Sequence, residues 1–539
     1  MPGLPLLSLL TFLPAAGAAL LLLLPRERLT LLRALAVAVT AADFLLALRL
    51  YAGFDPAEAG MQFVEEAPWI PRLGIQYLLG VDGISLPLVL LTAFLGVVVA
   101  AASLPWIQAR VKEYCICLLL LQTGILGVFL ALDLILFYIF WEAMLIPMYF
   151  LIGVWGGPRR IYATIKFFLY TMAGSVLMLV AIFALYFIGR AALPAPTFAL
   201  PALLGVVLPP GEQTWLFLAF ALAFAIKVPM VPFHTWLPDA HVEAPTGGSV
   251  ILAGVLLKMG TYGFLRFALP LFPDATRAFL PLVAWLAIAG ILYGALVALA
   301  QADVKSLVAY SSVSHLGFVM LGIFALNLQA VSGALLQMVN HGLSTGALFL
   351  LVGMLYERRH TRMLAEFGGL FRVIPVYGGV LLVIALSSIG LPGLNGFVGE
   401  FLILAGTFRS WPLYAVLGAA GVVLGAWYML WMVQQVLFGP VRHEANRTLR
   451  DLTLAERCVL APILLLVVWI GVYPAPFLHP SEASVKALLA RVEQGAAALA
   501  PAAGGVDPRA YGRPAPAPRV EGARVAPGET QARVTGGER

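Results

Sequence analysis

The chain is poor in charge. Only 11% of its 539 residues are Asp, Glu, Lys or Arg, whereas 61% are hydrophobic and the mean hydropathy is +0.95. A soluble globular chain carries about 25% charged residues, so these few charges cannot cover a water-exposed surface of this size. The bilayer must therefore be the solvent for most of the chain. This composition excludes a soluble enzyme, a nucleic-acid binder and a disordered protein.

Cysteine and cofactor motifs are also scarce. The three cysteines, Cys115, Cys117 and Cys458, lie in or at the edge of apolar runs, and their spacing fits neither a metal site nor a disulfide framework. The sequence lacks a cysteine cluster for an iron–sulfur centre, a Rossmann glycine fingerprint and a P-loop. We therefore expect no cofactor in this chain and no redox centre of its own, so that any catalysis consists of coupled ion movement.

Long apolar runs are abundant. About fourteen of them approach the roughly 20 residues that cross the hydrocarbon core as a helix. They lie near 4–24, 31–51, 82–104, 113–131, 133–153, 161–188, 213–236, 245–267, 277–299, 303–325, 331–355, 373–408, 413–437 and 455–475. The runs are continuous rather than alternating, so we expect an all-α polytopic membrane protein rather than a barrel.

Basic residues in the predicted loops orient the chain. If the N-terminus lies outside, roughly sixteen basic loop residues fall inside and six outside, Arg266 being one of the six. This asymmetry is expected when inside is the cytoplasm, and it accounts for the net charge of +6 without nucleic acid. An even number of spans then places the C-terminus outside as well.

Titratable residues inside the apolar runs are the strongest functional signal. The chain has six lysines against 27 arginines, and Lys166, Lys227 and Lys258 lie inside predicted spans. A buried ammonium can lose its proton near neutral pH, whereas a guanidinium cannot. The carboxylates of Glu142 and Glu400 are also intramembrane, where a charge is costly and usually functional. The alternative is an ion pair, such as Glu142 with Lys227, that only fixes packing.

Four histidines are further candidates for proton transfer. His315 and His341 lie inside predicted spans, and His234 and His241 lie near the cytoplasmic end of the seventh. Imidazole titrates near neutral pH and can accept a proton at one nitrogen while donating at the other. A hydrogen-bonded packing histidine is the alternative for each of them, and the favoured one for His234 and His241.

Two predicted spans contain helix breakers beside these charges. The breakers are Pro229 and Pro232, just after Lys227 in the seventh span, and Gly390, Pro392, Gly393 and Gly396, just before Glu400 in the twelfth. Irregular backbone at membrane depth is tolerated only where protein or water covers it. The two interruptions are five spans apart, so they have opposite orientations, as in inverted repeats whose broken helices mark an ion site. For each break alone, a kink without a transport role is the alternative.

This pattern divides the chain into five parts. They are three N-terminal spans (1–112), a first five-helix repeat (113–267), a second, inverted five-helix repeat (277–437), a C-terminal span (455–475) and a polar tail (496–539). Lys227 and Glu400 would occupy equivalent positions in the two repeats. The tail is rich in Ala, Pro, Gly and Arg, so we expect it to be disordered.

Four segments carry a family resemblance: FYIFWEAMLIPMYFLIGVWG, the long AIKVPMVPFHTWLPDAHVEAPTGGSVILAGVLLKMGTYGFLR, QADVKSLVAYSSVSHLGF and GLPGLNGFVGEF. They resemble the antiporter-like membrane subunits of respiratory complex I, the proton-pumping NADH:quinone oxidoreductase. The resemblance covers about 80–475. Glutamate at position 400, where sibling subunits usually carry lysine, favours the M group, the relatives of mitochondrial subunit 4.

The resemblance implies a proton relay. Its members would be Glu142, which pairs with Lys227; Lys258, on the central axis; His315 and His341, along the membrane midplane; and Glu400, near the outside exit. Supporting roles would fall to Lys166, His234, His241 and Lys305. The relay would move protons from the cytoplasm to the outside of a bacterial inner membrane.

The resemblance also implies partners. These are the lipid bilayer and the other membrane-arm subunits, including neighbouring antiporter-like ones, with NAD, FMN, iron–sulfur clusters and quinone bound elsewhere in the complex. Two alternatives stay open. One is a subunit of a multisubunit cation/proton antiporter or membrane-bound hydrogenase, and the other is a purely structural membrane scaffold.

Overall fold

The computed structural model describes residues 5–495, so the tail predicted over 496–539 lies outside the described residues. Within the described range, twelve helices are long and apolar enough to cross a membrane. The polytopic helical membrane protein expected from the composition is thereby confirmed.

The N-terminal part contains three long helices and one hairpin. Its elements are α1 (Leu6–Leu23), α2 (Leu29–Ala52), β1 (Gln62–Ile70), β2 (Ile75–Val81) and α3 (Leu86–Ser103). The strands are antiparallel, with Gln62 opposite Val81 and Ile70 opposite Ile75. The sequence analysis assigned no element to this stretch, so this hairpin is an addition to the helical fold that it predicted. We call the end of the bundle that carries this hairpin the hairpin face.

The first predicted repeat is built from ten helical segments. They are α4 (Val111–Leu130), α5 (Leu134–Ala143), α6 (Leu145–Trp155), α7 (Arg160–Ala192), α8 (Leu200–Leu203), α9 (Pro210–Lys227), α10 (Trp236–Glu243), α11 (Thr246–Ile251), α12 (Leu257–Gly263) and α13 (Leu269–Leu271). The last three form one span, Thr246–Leu271, in which π-helical turns at Leu252–Leu256 and Phe264–Ala268 separate the α-helical parts. We call this the central span.

The second predicted repeat and the C-terminal part follow. Their helices are α14 (Pro273–Leu299), α15 (Val304–Phe324), α16 (Leu328–Arg359), α17 (Leu370–Val373), α18 (Pro375–Ser388), α19 (Asn395–Ser410), α20 (Pro412–Leu437), α21 (Leu454–Val472) and α22 (Ala475–Gln494). The sequence analysis did not assign α22. Its Ser484 hydroxyl accepts a hydrogen bond from the amide of Gly83, just after β2, which places α22 at the hairpin face.

Both predicted interruptions are present. α9 ends at Lys227 and α10 begins at Trp236, with Pro229 and Pro232 in the non-helical stretch between them. Each half is too short or too polar to count as a spanning helix, so this segment is not among the twelve.

The second interruption separates α18 from α19. Gly390, Pro392 and Gly393 lie in it, and the two glycines have φ values of +75° and +91°, which other residues rarely adopt. Gly396 lies inside α19, so its assignment as a helix breaker was wrong. Because neither half reaches spanning length alone, the total of fourteen crossings stays a prediction.

The central span, α15 and α16 form the middle of the bundle. The spanning windows of these three are at least 94% buried, whereas those of α1, α2 and α21 are less than half buried. Four of the ten titratable candidates, Lys258, Lys305, His315 and His341, lie on these central helices, which places them away from lipid.

Arg266, at the very end of the predicted span 245–267, was counted with the outside loop residues, and this was wrong. It lies in the second π-helical turn of the central span, is fully buried and forms an ion pair with Asp82. A helix can continue through a charged residue when an opposite charge neutralises it.

Candidate proton-transfer site

Lys258 lies between the two π-helical turns of the central span and is fully buried. Its Nζ is 2.6 Å from Nδ1 of His341, on α16. It also donates to the carbonyl oxygen of Ala253, in the first π-helical turn, at 2.5 Å. A π-helical turn inside an α-helix is frequent at functional sites. Here it supplies one of the two polar partners of the lysine.

His315, on α15, and Glu400, on α19, form a second pair. Nδ1 of His315 is 3.2 Å from Oε1 of Glu400, and Gln337 donates to the same oxygen at 3.1 Å. On its other side, Nε2 of His315 is 3.3 Å from the hydroxyl of Ser388 and 3.4 Å from that of Tyr428. All five side chains belong to buried residues. Within the described residues, no Lys or Arg lies within 4.0 Å of the Glu400 carboxylate.

A small polar cavity lies between these two pairs. The rings of His341 and His315 are 5.7 Å apart between centroids, with no direct hydrogen bond. The cavity between them has a volume of about 10 Å³, counted as the space that the centre of a water molecule can occupy. Nε2 of His341 is buried and has no hydrogen-bond partner among the described residues. Because a cavity of this size holds about one water, it is large enough for a molecule that bridges the two rings.

Amide and hydroxyl groups fix the start of α19 against α16. Asn340 donates to the carbonyl oxygen of Asn395 at 2.7 Å, and the hydroxyl of Ser387 donates to the Asn395 side chain at 2.5 Å. Ser344 and Ser387 are 2.7 Å apart between their hydroxyl oxygens. These contacts hold the first turn of α19 and hence the position of Glu400.

Sequence reasoning missed Gln337, Asn340, Asn395 and Tyr428. A signal was available, since three of the four are amides inside apolar segments, where a polar group needs a partner. Tyr428 gave no such signal, because an aromatic residue in a spanning helix is ordinary.

Lys227 lies apart from this row. It ends α9, is buried, and its Nζ is 5.1 Å from the ring centroid of Trp141 and 5.8 Å from that of Phe167. Its hydrogen-bond partner is the sulfur of Met144, at 3.8 Å. In the described part of the chain, no hydrogen bond joins Lys227 to the row that starts at Lys258.

Glu142 and Lys227 do not form the predicted ion pair. Their charged atoms are more than 4.0 Å apart, although the two groups still interact through space. Glu142 lies near the end of α5 and is only half-buried, and one of its oxygens has no partner among the described residues. The ammonium of Lys227 faces the rings of Trp141 and Phe167 instead.

The supporting lysines both hold α10. Lys166 pairs with Asp239 of α10 at 2.8 Å. Lys305 is buried and donates to the carbonyl oxygens of Ala244 at 2.5 Å and Val242 at 3.3 Å, at the C-terminal end of α10. Both contacts position the second half of the broken seventh segment.

The supporting histidines pack around the same segment. The ring of His241 is stacked on Phe349 with centroids 4.7 Å apart, and neither ring nitrogen has a partner among the described residues. His234 packs edge-on against Tyr293 at 5.2 Å. The structure thus keeps both histidines outside the row of Lys258, His341, His315 and Glu400. Over residues 5–495, no group of three or more His, Cys, Asp or Glu could hold a metal ion.

Comparison with known proteins identifies the family. Residues 131–425 match the family described as NADH:quinone oxidoreductase/Mrp antiporter, TM. NADH-quinone oxidoreductase subunit M of Rhodobacter capsulatus is 49% identical over 484 residues, which cover 87% of this chain and 93% of the relative. The chain belongs to this family of antiporter-like membrane subunits. NADH-ubiquinone oxidoreductase chain 4 of Marchantia polymorpha is 43% identical, over 90% of this chain and 97% of its own.

Solved structures also match the fold of this chain. A chain of respiratory complex I from Thermus thermophilus with bound NADH matches with a TM-score of 0.81 and 37% identity, covering 90% of this chain and 99% of that one. A chain of the Mrp complex from Dietzia sp. matches with a TM-score of 0.79 at 20% identity, which shows the shared fold alone. The resemblance seen in the sequence is therefore confirmed, and the chain is a subunit of a multisubunit membrane complex.

Proposed function

We propose that this chain translocates protons as an M-type membrane-arm subunit of an NADH:quinone oxidoreductase, with quinone reduction and all redox cofactors in other subunits. The observation that carries the proposal is the buried row Lys258, His341, His315 and Glu400. Its members come from four helices and are joined by contacts of 2.6 Å and 3.2 Å with a water-sized cavity between them. The names of the relatives support the assignment to this complex.

The chemistry of the row suits proton movement. Each of its four side chains can gain or lose a proton, and imidazole can take one at one nitrogen while releasing another. Among the residues that the structure describes, no arginine, which cannot release its proton, pairs with any of the four. A proton can therefore pass from Lys258 to Glu400 without the breaking of a buried ion pair with a permanent cation, which would be costly.

Lys227 and Glu142 would couple this row to the neighbouring subunit. Glu142 is half-buried, and one of its oxygens has no hydrogen-bond partner among the described residues, so a charge change in a neighbouring subunit would act on it electrostatically. An ionised Glu142 stabilises the ammonium of Lys227 through space, and the loss of that charge removes the stabilisation. In this scheme the proton enters beside the broken seventh segment, between α9 and α10, and loads Lys258.

The proposal includes the topology predicted from the sequence. The segments 113–267 and 277–437 would be inverted repeats, with Lys227 and Glu400 equivalent and both termini outside. The hairpin face would then be the outer face, and Glu400 would release protons on that side.

The test uses the assembled complex in liposomes. We expect Lys258→Met and Glu400→Gln each to lower the number of protons moved per electron while NADH oxidation continues. Lys112→Met is the matched control, since Lys112 also donates to two backbone carbonyls, those of Leu22 and Leu24, but far from the row. Normal turnover with an unchanged proton-to-electron ratio in both variants would contradict the proposal. It would leave the purely structural scaffold as the function of this chain.

A further inference from the structure

The central span continues from Lys258 towards the hairpin face through two more polar side chains. Tyr262 and Arg266 follow Lys258 by four and eight residues, a spacing that puts side chains on one side of a helix. The hydroxyl of Tyr262 donates to the carbonyl oxygen of Phe129 at 3.0 Å and accepts from Nε of Arg266 at 3.0 Å. A polar line therefore leads from Lys258 towards that face.

Arg266 stands at the end of this line. It is fully buried, and one of its terminal nitrogens donates to Asp82 Oδ2 at 2.8 Å while the other bonds to Oδ1. Asp82 follows β2, and its Oδ1 also accepts from the backbone amides of Ile84 and Ser85, at 3.0 Å each. The guanidinium is thus held rigidly at the hairpin face, and it cannot lose its proton.

From Lys258, polar side chains therefore extend in two directions. His341 leads sideways to His315 and Glu400, whereas Tyr262 leads along the central span towards Arg266. If both directions conducted, a proton on Lys258 would reach the hairpin face without passing Glu400, and transport would lose its coupling. A fixed arginine in a membrane pathway excludes protons electrostatically, because an added positive charge beside it is repelled.

We propose that Arg266, held by Asp82 and Tyr262, is an electrostatic barrier that closes the direct route from Lys258 to the hairpin face. It thereby directs the proton on Lys258 to His341. This inference rests on the proposed function, since it assigns Arg266 a positioning role in the same proton movement. A purely structural ion pair would fasten the hairpin to the central span and have no effect on proton permeability.

The test removes the charge without leaving a buried partner unpaired. Asp82→Asn with Arg266→Gln removes both charges together and leaves an amide at each position, with Asn keeping the size of Asp and Gln being shorter than Arg. The matched control is Arg358→Gln with Glu456→Gln, which neutralises another two-point Arg–carboxylate pair, with contacts of 2.7 Å and 2.8 Å, remote from Lys258 in the fold.

The readout is the passive proton permeability of liposomes that contain the assembled complex, under an imposed membrane potential and without NADH. We expect the Asp82/Arg266 double variant to leak protons severalfold faster than the parent, and the Arg358/Glu456 control to stay at the parent's rate. Adding Tyr262→Phe to the double variant should restore low permeability, because the hydroxyl that stands between Lys258 and Arg266 in the order of the central span is then absent. A parental leak in the double variant, or an equal leak in the control, would overturn the inference.

A second variant keeps the inference testable if the complex with the double variant does not assemble. Arg266→His keeps a cation beside Asp82 only while the imidazole is protonated, so its leak should rise with increasing pH. A leak that matches the parent at every pH would also overturn the inference. Failure of the proposed function itself is distinguishable, because it is measured by Lys258→Met under turnover, whereas the leak is measured without NADH.

Discussion

Replacement of Lys305 by Met should loosen α10, the second half of the broken seventh segment. The Lys305 ammonium donates to the carbonyl oxygens of Ala244 and Val242 at the end of that helix. Arg362 also donates to Val242, at 2.6 Å. Methionine keeps most of the side-chain length but has no donor. The variant therefore removes the side-chain partner of Ala244 while Val242 keeps Arg362.

The size of the effect follows from burial. Ala244 is 2% exposed, so its carbonyl cannot turn to water when the lysine is gone. Leaving a buried acceptor without its donor costs about 1–3 kcal/mol. If that cost is borne by the local opening of α10, its opening equilibrium should increase about 5- to 150-fold.

Hydrogen–deuterium exchange of the assembled complex, followed by mass spectrometry, measures this directly. Peptides that cover 236–243 should exchange faster in Lys305→Met by that factor, while those from α15 beyond its first turn should not change. Lys112→Met is the control, because its two carbonyl partners lie at the end of α1. Unchanged exchange of α10 in Lys305→Met, or equal loosening in the control, would refute the reasoning.

Three further predictions concern stability. Arg358→Gln should lower the free energy of unfolding by about 1–2 kcal/mol, because the side chain loses its two-point contact with Glu456; thermal denaturation of the solubilised complex measures it. Gly390→Ala should lower the free energy of unfolding by about 1–2 kcal/mol, because the residue has φ +75°. Gly379→Ala, in α18 with open space around it, should leave the free energy of unfolding unchanged. The same thermal denaturation compares the two variants. Burial opposes ionisation of Asp451, but hydrogen bonds from backbone amides at the start of α18 outweigh it and hold its pKa below the ordinary value. Asp451 therefore stabilises that end above about pH 4 and loses its effect as the pH falls further, which exchange of the 375–377 amides at acidic pH would show.

The helical fold could be predicted because its signals are local. Apolar runs set the spans, and Pro229 or Gly390 break a helix wherever they occur. The hairpin and the π-helical turns gave no such signal. Pairing of β1 with β2 depends on the packing of the hairpin against α1, where Glu65 accepts from the amides of Leu7 and Ser8. A π-helical turn has the same composition as the α-helix around it.

The titratable members of the site could be predicted one by one, but their order could not. A buried lysine or carboxylate needs a polar partner, and the sequence does not say which one. Lys258 and His341 are separated by 83 positions and belong to different predicted repeats. Their contact depends on how the central span packs against α16, and the absence of a Glu142–Lys227 ion pair depends equally on how α5 packs against the end of α9.

The wrong placement of Arg266 shows a general weakness of span assignment from hydropathy. A charged residue lowers the hydropathy of its window, so the predicted span ended at position 267, whereas the helix continues to Leu271. The continuation is possible because Asp82, 184 positions away in sequence, neutralises the guanidinium. Asp43 is a second buried charge with a distant partner. It is fully buried in the second span and accepts a hydrogen bond from Gln122 at 2.5 Å. A lone charge at the end of an apolar run is therefore as consistent with a buried pair as with a loop. The two can be told apart only when the distant partner is known.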